Sequence, residues 1–444
     1  MYCQLETLRH CLPSSVRRTL DELPESLDET YERVLREIKR SNRDHALRLI
    51  QCLVVAIRPL CVAELAEVLA VDFDDAEGVP RLNASWRWED QEQALLSSCS
   101  SLISIVDDSD DDNHRDRDSR AVQFSHFSVK EFLTSPRLAS PSRDVSYYHI
   151  DLEPAHTIMA RACLGILMQS DDCFEHTGAR SSSPFSRYAA KYWVTHGQFK
   201  NVSSNLRQAM EILFDQDKPY FAAWLELHDV DSISTPLSTF YRFTVLSKQP
   251  AGPLYYAALC GFQDIVEHLV IKDPRQVNTS GGYYVTPAMA ALSRKHFQLA
   301  QLLHRHGSSV DPRGHYRNTP LHSAVYYGDL EMAQVLLEYK GDINARNFGG
   351  STPLFEAVCQ VQDEATRLLL EQGANPNIPL YRGTAPLHDA SMDGNCELVR
   401  LLLDHGVDVD AVDESGKTAF RLALENGHDE IVTLLSASGA DGSS

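Results

Sequence analysis

Chemistry in this chain would have to come from one Gly-Lys-Thr, a run of aspartates and a few histidines. Gly416-Lys417-Thr418 has the form of the end of a phosphate loop. In Gly-x-x-x-x-Gly-Lys-Ser/Thr the backbone N–H groups cradle phosphates, lysine neutralises them and the hydroxyl holds Mg²⁺. Here the required upstream glycine is Ala411, and the tripeptide opens a helix instead of following a strand, so no nucleotide site is read. Asp107 to Ser119 is rich in aspartate, yet Arg115 and Arg117 interrupt it and the spaced glycines of a calcium loop are missing, which indicates a solvated loop. His304 and His306 flank Arg305 at a helix end, where cations complement the dipole, so they are not read as metal ligands. There is no Gly-x-Ser-x-Gly and no His-Glu-x-x-His. Ten cysteines include no Cys-x-x-Cys, so neither a zinc ribbon nor a redox pair is offered. The expectation is a non-enzyme with no catalytic residue, cofactor or metal.

The elements behind these residues repeat. Thr286-Pro287, Thr319-Pro320, Thr352-Pro353, Ala385-Pro386 and Thr418-Ala419 stand at a constant interval of 33 residues. Each is followed by an alanine (Ala291, Ala324, Ala357, Ala390, Ala423), a leucine pair and a closing glycine, read as Gly307, Gly341, Gly373, Gly406 and Gly439. Threonine caps free N–H groups and proline needs no donor, so each pair starts a short helix. Alanines let that helix approach its neighbour, and the leucines belong to a second, antiparallel helix. One such hairpin cannot bury its apolar side alone; stacking does it. A degenerate unit begins at Pro253, 34 residues before Pro287, with the extra residue expected in Ser280 to Tyr283. Lys295 and Val361 occupy the turn slot that holds Gly328, Gly394 and Gly427. If that turn needs positive φ, a β-branched valine is strained there.

These units resemble the ankyrin repeat over roughly residues 250 to 440, whose 33-residue length and T-P-L-H-x-A opening they share. The resemblance implies an α-solenoid of about six repeats. It also implies that a protein partner is recognised by hairpin tips and by the exposed side of the first helices. The tip positions are Tyr316, Arg317, Asn318, Asn347, Phe348, Tyr381, Arg382, Asp413 and Glu414. The helix positions are Ser323, Tyr326, Tyr327, Glu356, Gln360, Asp389, Met392, Asp393 and Glu425. Glu356, Asp389, Asp393 and Glu425 are read as lining one face, which makes the expected ligand a basic protein segment anchored by the aromatics.

The 444 residues exceed what one core serves. A net charge of -21 opposes nucleic acid and anionic membranes as partners. The first residues have no apolar signal core, and the longest apolar stretch, Leu49 to Ile57, is too short for a bilayer. A cytoplasmic location is expected. Helical stripes cover residues 5 to 56, with Ser26 and Glu29 as a capping box; further helices are read at 62–71 and 89–98. Strand runs follow at Leu102 to Val106 and Val122 to Phe127. Helices followed by two strands form the pattern of a winged helix. Ser128 and Glu131 are read as the capping box of a next helix.

Leu23-Pro24-Glu25-Ser26-Leu27-Asp28-Glu29-Thr30-Tyr31 and Phe124-Ser125-His126-Phe127-Ser128 carry a second resemblance, to the segment behind the NACHT NTPase module of fungal NOD-like receptor proteins. It implies 1–40 as remnant helices after such a module, 41–140 as a winged-helix-like domain, 141–250 as helical connector and linker, and 251–444 as ankyrin repeats. It implies that His126 would reach a bound nucleotide's phosphate where an NTPase module is present. It further implies that this chain is a C-terminal fragment, a truncated gene product or an incomplete gene model, lacking the NTPase module. The fold expected is mainly α: a winged-helix and helical region followed by an ankyrin-repeat solenoid. The function expected is a non-catalytic interaction scaffold, with the regulatory half of an NTPase switch as its rival.

Overall fold

The computed structural model describes residues 26–73, 79–107, 120–140, 145–169, 183–231, 251–282, 284–311 and 317–439. The helices expected before residue 26, the aspartate-rich loop beyond Asp107, Tyr316 and most of the linker lie outside these. Two compact units divide between Val230 and Asp231.

In the first unit α1 (Leu27–Glu37) is capped by Ser26, whose hydroxyl accepts from Glu29 N at 3.2 Å, and it buries Tyr31, Val34 and Leu35. Then come α2 (Arg43–Val55), β1 (Leu60–Cys61), α3 (Val62–Leu69), β2 (Val71–Asp72), β3 (Arg81–Leu82), α4 (Gln91–Cys99), β4 (Ile103–Asp107), β5 (Arg120–Phe124) and α5 (Phe127–Leu133). β4 and β5 pair antiparallel, Ile103 opposite Phe124 and Asp107 opposite Arg120. β1 joins β5 through Leu60 and Val122, giving the order β1-β5-β4. Two residues of β1 are too few for a period-2 pattern, which is why the third strand was not read. The second strand run ends at Phe124, not Phe127. Phe127 opens α5, and its cap is His126, whose Nδ1 accepts from Ser128 N at 3.3 Å, in place of the expected Ser128.

A helical region follows: α6 (Leu152–Leu167), α7 (Ser186–Gly197), α8 (Val202–Leu213) and α9 (Tyr220–Leu227). Its core is aromatic, with Trp193, Phe214 and Trp224 fully buried and mutually edge-on or tilted. Trp224 keeps its N–H satisfied on Ala190 O at 3.0 Å.

The second unit is a stack of helix pairs: α10 (Pro253–Leu259) and α11 (Gln263–Lys272), α12 (Pro287–Ser293) and α13 (Phe297–Arg305), α14 (Pro320–Tyr326) and α15 (Leu330–Glu338), α16 (Pro353–Cys359) and α17 (Asp363–Glu371), α18 (Pro386–Met392) and α19 (Cys396–Asp404), α20 (Ala419–Asn426) and α21 (Asp429–Ala437). Thr286, Thr352 and Thr418 each accept from the backbone N–H three residues on. His322 Nδ1 binds Thr319, while its Nε2 reaches Ser351 O of the next repeat at 2.9 Å. His388 also ties its opening to the next tip, at a different acceptor, from Ala385 N to Ala411 O at 3.0 Å, so the repeat holds its opening even where alanine replaces threonine. Leu303, Leu336, Leu369, Leu402 and Leu435 form the buried spine.

Three readings of the repeats change. The left-handed closing residue of the repeat that opens at Thr319 is Lys340 (φ 59°) and not Gly341, in register with Gly307, Gly373, Gly406 and Gly439. The extra residue of the first unit does not fall in Ser280 to Tyr283. The tip pair Gly281 N to Val285 O is in register with Asn347 N to Ser351 O, so the insertion lies upstream, where a 3-10 turn over Pro274–Asn278 replaces the glycine close. Lys295 and Val361 do adopt φ of 60° and 54°. The reason their slot alternates lies in the next repeat. A Cβ on Gly261 would sit 2.6 Å from the His296 ring, on Gly328 2.9 Å from Gln362, and on Gly394 2.6 Å from His428. The residues matching these three knobs after Lys295 and Val361 are the short Asp329 and Asn395, whose side chains fold back to cap α15 and α19.

Candidate protein-recognition surface

The hairpin tips are tied to one another. Asn347 Oδ1 accepts from Gly349 N (2.9 Å) and Ser351 N (3.0 Å), while its Nδ2 donates to Asn318 Oδ1 one repeat earlier. Arg346 donates to Gly350 O and to Pro379 O of the following repeat, and Tyr381 stacks on its guanidinium with the ring centroid at 4.5 Å. Tyr381 N in turn reaches Gly349 O. Phe348 and Tyr381 are thus held on a braced loop with 72% and 64% of their surface exposed. Arg317, Arg382 and Glu414 are exposed beside them, Asn318 is half-buried in its bond to Asn347, and Tyr316 lies outside the described residues. Arg346 was missed in the sequence; an arginine four residues before glycine gives no sign that it braces the next tip.

On the first helices the equivalent positions form columns: Ser323, Glu356, Asp389, Leu422; then Tyr326, Cys359, Met392, Glu425; then Tyr327, Gln360, Asp393, Asn426. Tyr326, Tyr327, Gln360, Met392 and Asp393 are exposed, and the two tyrosines meet edge-on at 4.9 Å. Ser323 is not exposed as expected; at 8% it packs between repeats. The four acids do not form one line either. Glu356 and Asp389 share a column and are half-buried, whereas Glu425 stands in another and is held by Lys417 (2.5 Å) and Arg421 (3.2 Å), which depress its pKa. Burial raises the carboxyls of Glu356 and Asp389. Cys359, between Tyr326 and Met392, hydrogen-bonds Asp389; burial and that carboxylate raise its thiol well out of the reactive range.

In the first unit His126 is exposed and its ring lies tilted against Phe127, centroids 4.3 Å apart. Its Nδ1 is committed to Ser128, whose Oγ lies 2.7 Å away and meets Tyr31 Oη at 2.8 Å, which ties α1 to α5. The fully buried His196 bridges His156 Nδ1 (2.9 Å) and Tyr188 Oη (3.0 Å), and burial and the neighbouring His156 push it down to about 3. Among the described residues no group of three or more His, Cys, Asp or Glu is placed to hold a metal, and no helix is long and apolar enough to cross a membrane.

Known families match both units. The family described as "Ankyrin repeats (3 copies)" matches residues 254–347 and 354–444. The C-terminal array consists of ankyrin repeats. The family described as "GPI inositol-deacylase, winged helix domain" matches residues 31–142, from α1 through α5, so the winged helix is a domain of that family. A relative, "Azaphilone pigments biosynthesis cluster protein L" of Monascus ruber, is 28% identical over 303 residues, 66% of this chain and 61% of that protein. The chain therefore spans less than two thirds of that relative's length. Among solved structures, an ankyrin repeat domain from Acinetobacter baumannii AYE is 26% identical over 43% of this chain and 98% of its own, with a TM-score of 0.37.

Proposed function

We propose that this chain is a non-catalytic, cytoplasmic recognition protein whose ankyrin array binds a protein ligand, within an assembly of the NACHT-associated, NOD-like receptor type. The observation that carries the reading is the braced tip surface: Phe348 and Tyr381 are large and exposed on loops tied by Asn347 and Arg346, and the Tyr381 ring is already packed on the Arg346 guanidinium, so binding loses little freedom there. Exposed aromatics held in this way are the residue type that dominates binding energy at protein interfaces. The pairing of such an array with a winged helix supports the receptor-type setting. The test is capture of partners from host extract by the full chain. Phe348→Ala/Tyr381→Ala and Tyr326→Ala/Tyr327→Ala should each lose partners that the parent chain retains, with an unchanged melting midpoint. Retention by both variants would place binding elsewhere.

A second reading, the regulatory half of an NTPase switch, is favoured by one observation: His126 is exposed with its Nδ1 fixed by Ser128. On the recognition reading the chain itself binds no ATP or GTP. Equilibrium dialysis with ATP, GTP and Mg²⁺ checks it; micromolar binding lost on His126→Ala would favour the switch.

A further inference from the structure

We propose that the first-helix face of the array seats one lysine or arginine side chain of a protein segment between Glu356 and Asp389, with the segment's neighbouring apolar residues against Tyr326, Tyr327 and Met392. This rests on the reading of the array as a protein-recognition surface and adds which residue of the ligand is read.

Other carboxylates of the array already hold a cation. Glu331 is bound by Lys295, Glu397 by Arg367 (3.3 Å) and Glu430 by Arg400 (2.6 Å), each base reaching across from the preceding repeat. Glu425 lies between Lys417 and Arg421. Glu356 and Asp389 differ. Among the described residues Glu356 accepts only from the Ser351 hydroxyl (3.1 Å), and the partner of Asp389 is the Cys359 thiol; neither is charged. Both side chains are half-buried, so each has lost much of its water and gained no countercharge. Such an arrangement destabilises a fold. Groups that weaken a fold without an internal gain are characteristic of functional positions.

The geometry limits the occupant. Glu356 and Asp389 are equivalent residues of α16 and α18, first helices packed side by side. Helices so packed have axes about 8–10 Å apart, and both carboxylates act on the one Cys359 thiol, so a single cationic head can reach both. The same column continues into Ser323 and Leu422, which are uncharged, and the exposed Asp393 adds one carboxylate beside Asp389, so the patch is short and does not suit a polybasic run. Beside it the exposed, edge-on pair Tyr326 and Tyr327 and the exposed Met392 suit the apolar stem of a lysine or arginine and its hydrophobic neighbours. An acidic or purely apolar occupant would strip more water from both carboxylates without replacing it, and so is rejected.

The probe is a phage-displayed library of random twelve-residue peptides panned on the full chain. Enrichment of peptides with a single lysine or arginine flanked by apolar residues is expected. A synthetic peptide from that pool should bind Glu356→Gln/Asp389→Asn at least about tenfold more weakly, the scale of one charge-assisted contact. It should bind Lys417→Ala/Arg421→Ala unchanged. The melting midpoint of Glu356→Gln/Asp389→Asn should rise at pH 7, because the amides keep acceptors for Ser351 and Cys359 while removing the desolvated charges. That rise separates lost binding from lost folding, and a fall would overturn the premise. Peptides that are weakened by Tyr326→Ala/Tyr327→Ala but lack a basic residue, or that ignore Glu356→Gln/Asp389→Asn, would overturn this proposal and leave the recognition reading standing. Peptides insensitive to both pairs, or no enrichment at all, would overturn both.

Discussion

In the N-terminal unit Glu64 pairs with Arg58 and Glu67 with Arg87, and Glu67 also accepts from Phe185 N, each a contact made once. In the array a histidine that ties its repeat's opening to the next tip stands at His322 and again at His388, 66 residues on, and the acceptor ladder of Asn278, Asp311, Asn344 and Asn377 takes the backbone N–H of Ser309, Asp342, Asn375 and Asp408 in turn. The two regions face the same demand, that buried backbone and charge find partners. One meets it with singular long-range contacts, the other with a local rule applied at every repeat. A singular network fails as a whole when one member is removed. A periodic one should lose only the interface affected, since its stability is a sum over neighbours.

The largest effect should follow from breaking the singular core. Trp224→Ala removes a fully buried ring that packs on Trp193 and Phe214 and donates to Ala190 O, and should destabilise the first unit by about 3–5 kcal/mol. All four tryptophans precede Val230, so fluorescence-monitored urea unfolding reports that unit selectively. An unmoved fluorescence midpoint would show that the aromatic core is not what holds it.

The array's counterpart is Gly394→Ala. It places a methyl 2.6 Å from the His428 ring at φ 79°, so left-handed strain and overpacking add to about 2–4 kcal/mol. Gly427→Ala has the same backbone (φ 75°) and nothing within 4 Å, so it should lose only about 1 kcal/mol. His428→Ala should return part of the first loss and none of the second. Equal costs at the two glycines in circular dichroism melts would mean that the next repeat does not fill the socket.

How much of this was legible follows from the same contrast. The 33-residue interval, the Thr-Pro openings and the leucine spine placed α12 to α21 and the exposed Phe348, Tyr381 and Met392 from sequence, because a local rule leaves its trace at every repeat. The alternation of Gly261, Lys295, Gly328, Val361 and Gly394 was seen but not understood, since the partner lies about one repeat away and only a stacked structure brings them together. In the first unit the strand β1 and the pairing of His156 with His196 left no trace, as each depends on contacts made once between distant segments. The face of the acids was misread for a simpler reason: position in a column decides hydration, and Glu425 also had Lys417 and Arg421 within reach.

The pH response should again separate the regions. His196 is held at about 3 against an ordinary 6.5, so the unfolded chain takes up the proton first. The linked stability is therefore complete above pH 6.5 and lost as pH falls toward 3, by about 2 kcal/mol at pH 5. His156, also lowered by burial, acts in the same direction. The tryptophan-monitored urea midpoint should fall between pH 7 and pH 5 by more than that of the array. A flat profile would mean the His156–His196 pair is hydrated or already charged.

The smallest effect tests the alternation from its other side. Val361 holds φ 54° in a half-exposed turn, a conformation that burdens an L-residue by about 1–2 kcal/mol. Glycine relieves it but gives the unfolded chain more freedom, which takes back about 0.5–1 kcal/mol. Val361→Gly should therefore raise the array's midpoint by the equivalent of up to about 1 kcal/mol. The informative variant adds Asn395→His to Val361→Gly, which recreates one repeat earlier the arrangement of His428 over Gly394 while giving up the Asn395 cap on Leu398 N. Asn395→His alone should lose that cap, about 1 kcal/mol, and also press the imidazole on the valine. If the histidine is tolerated equally well against valine and glycine, the turn residue and its neighbour one repeat on are independent. If it is tolerated only against glycine, each repeat dictates the size of one residue in the next.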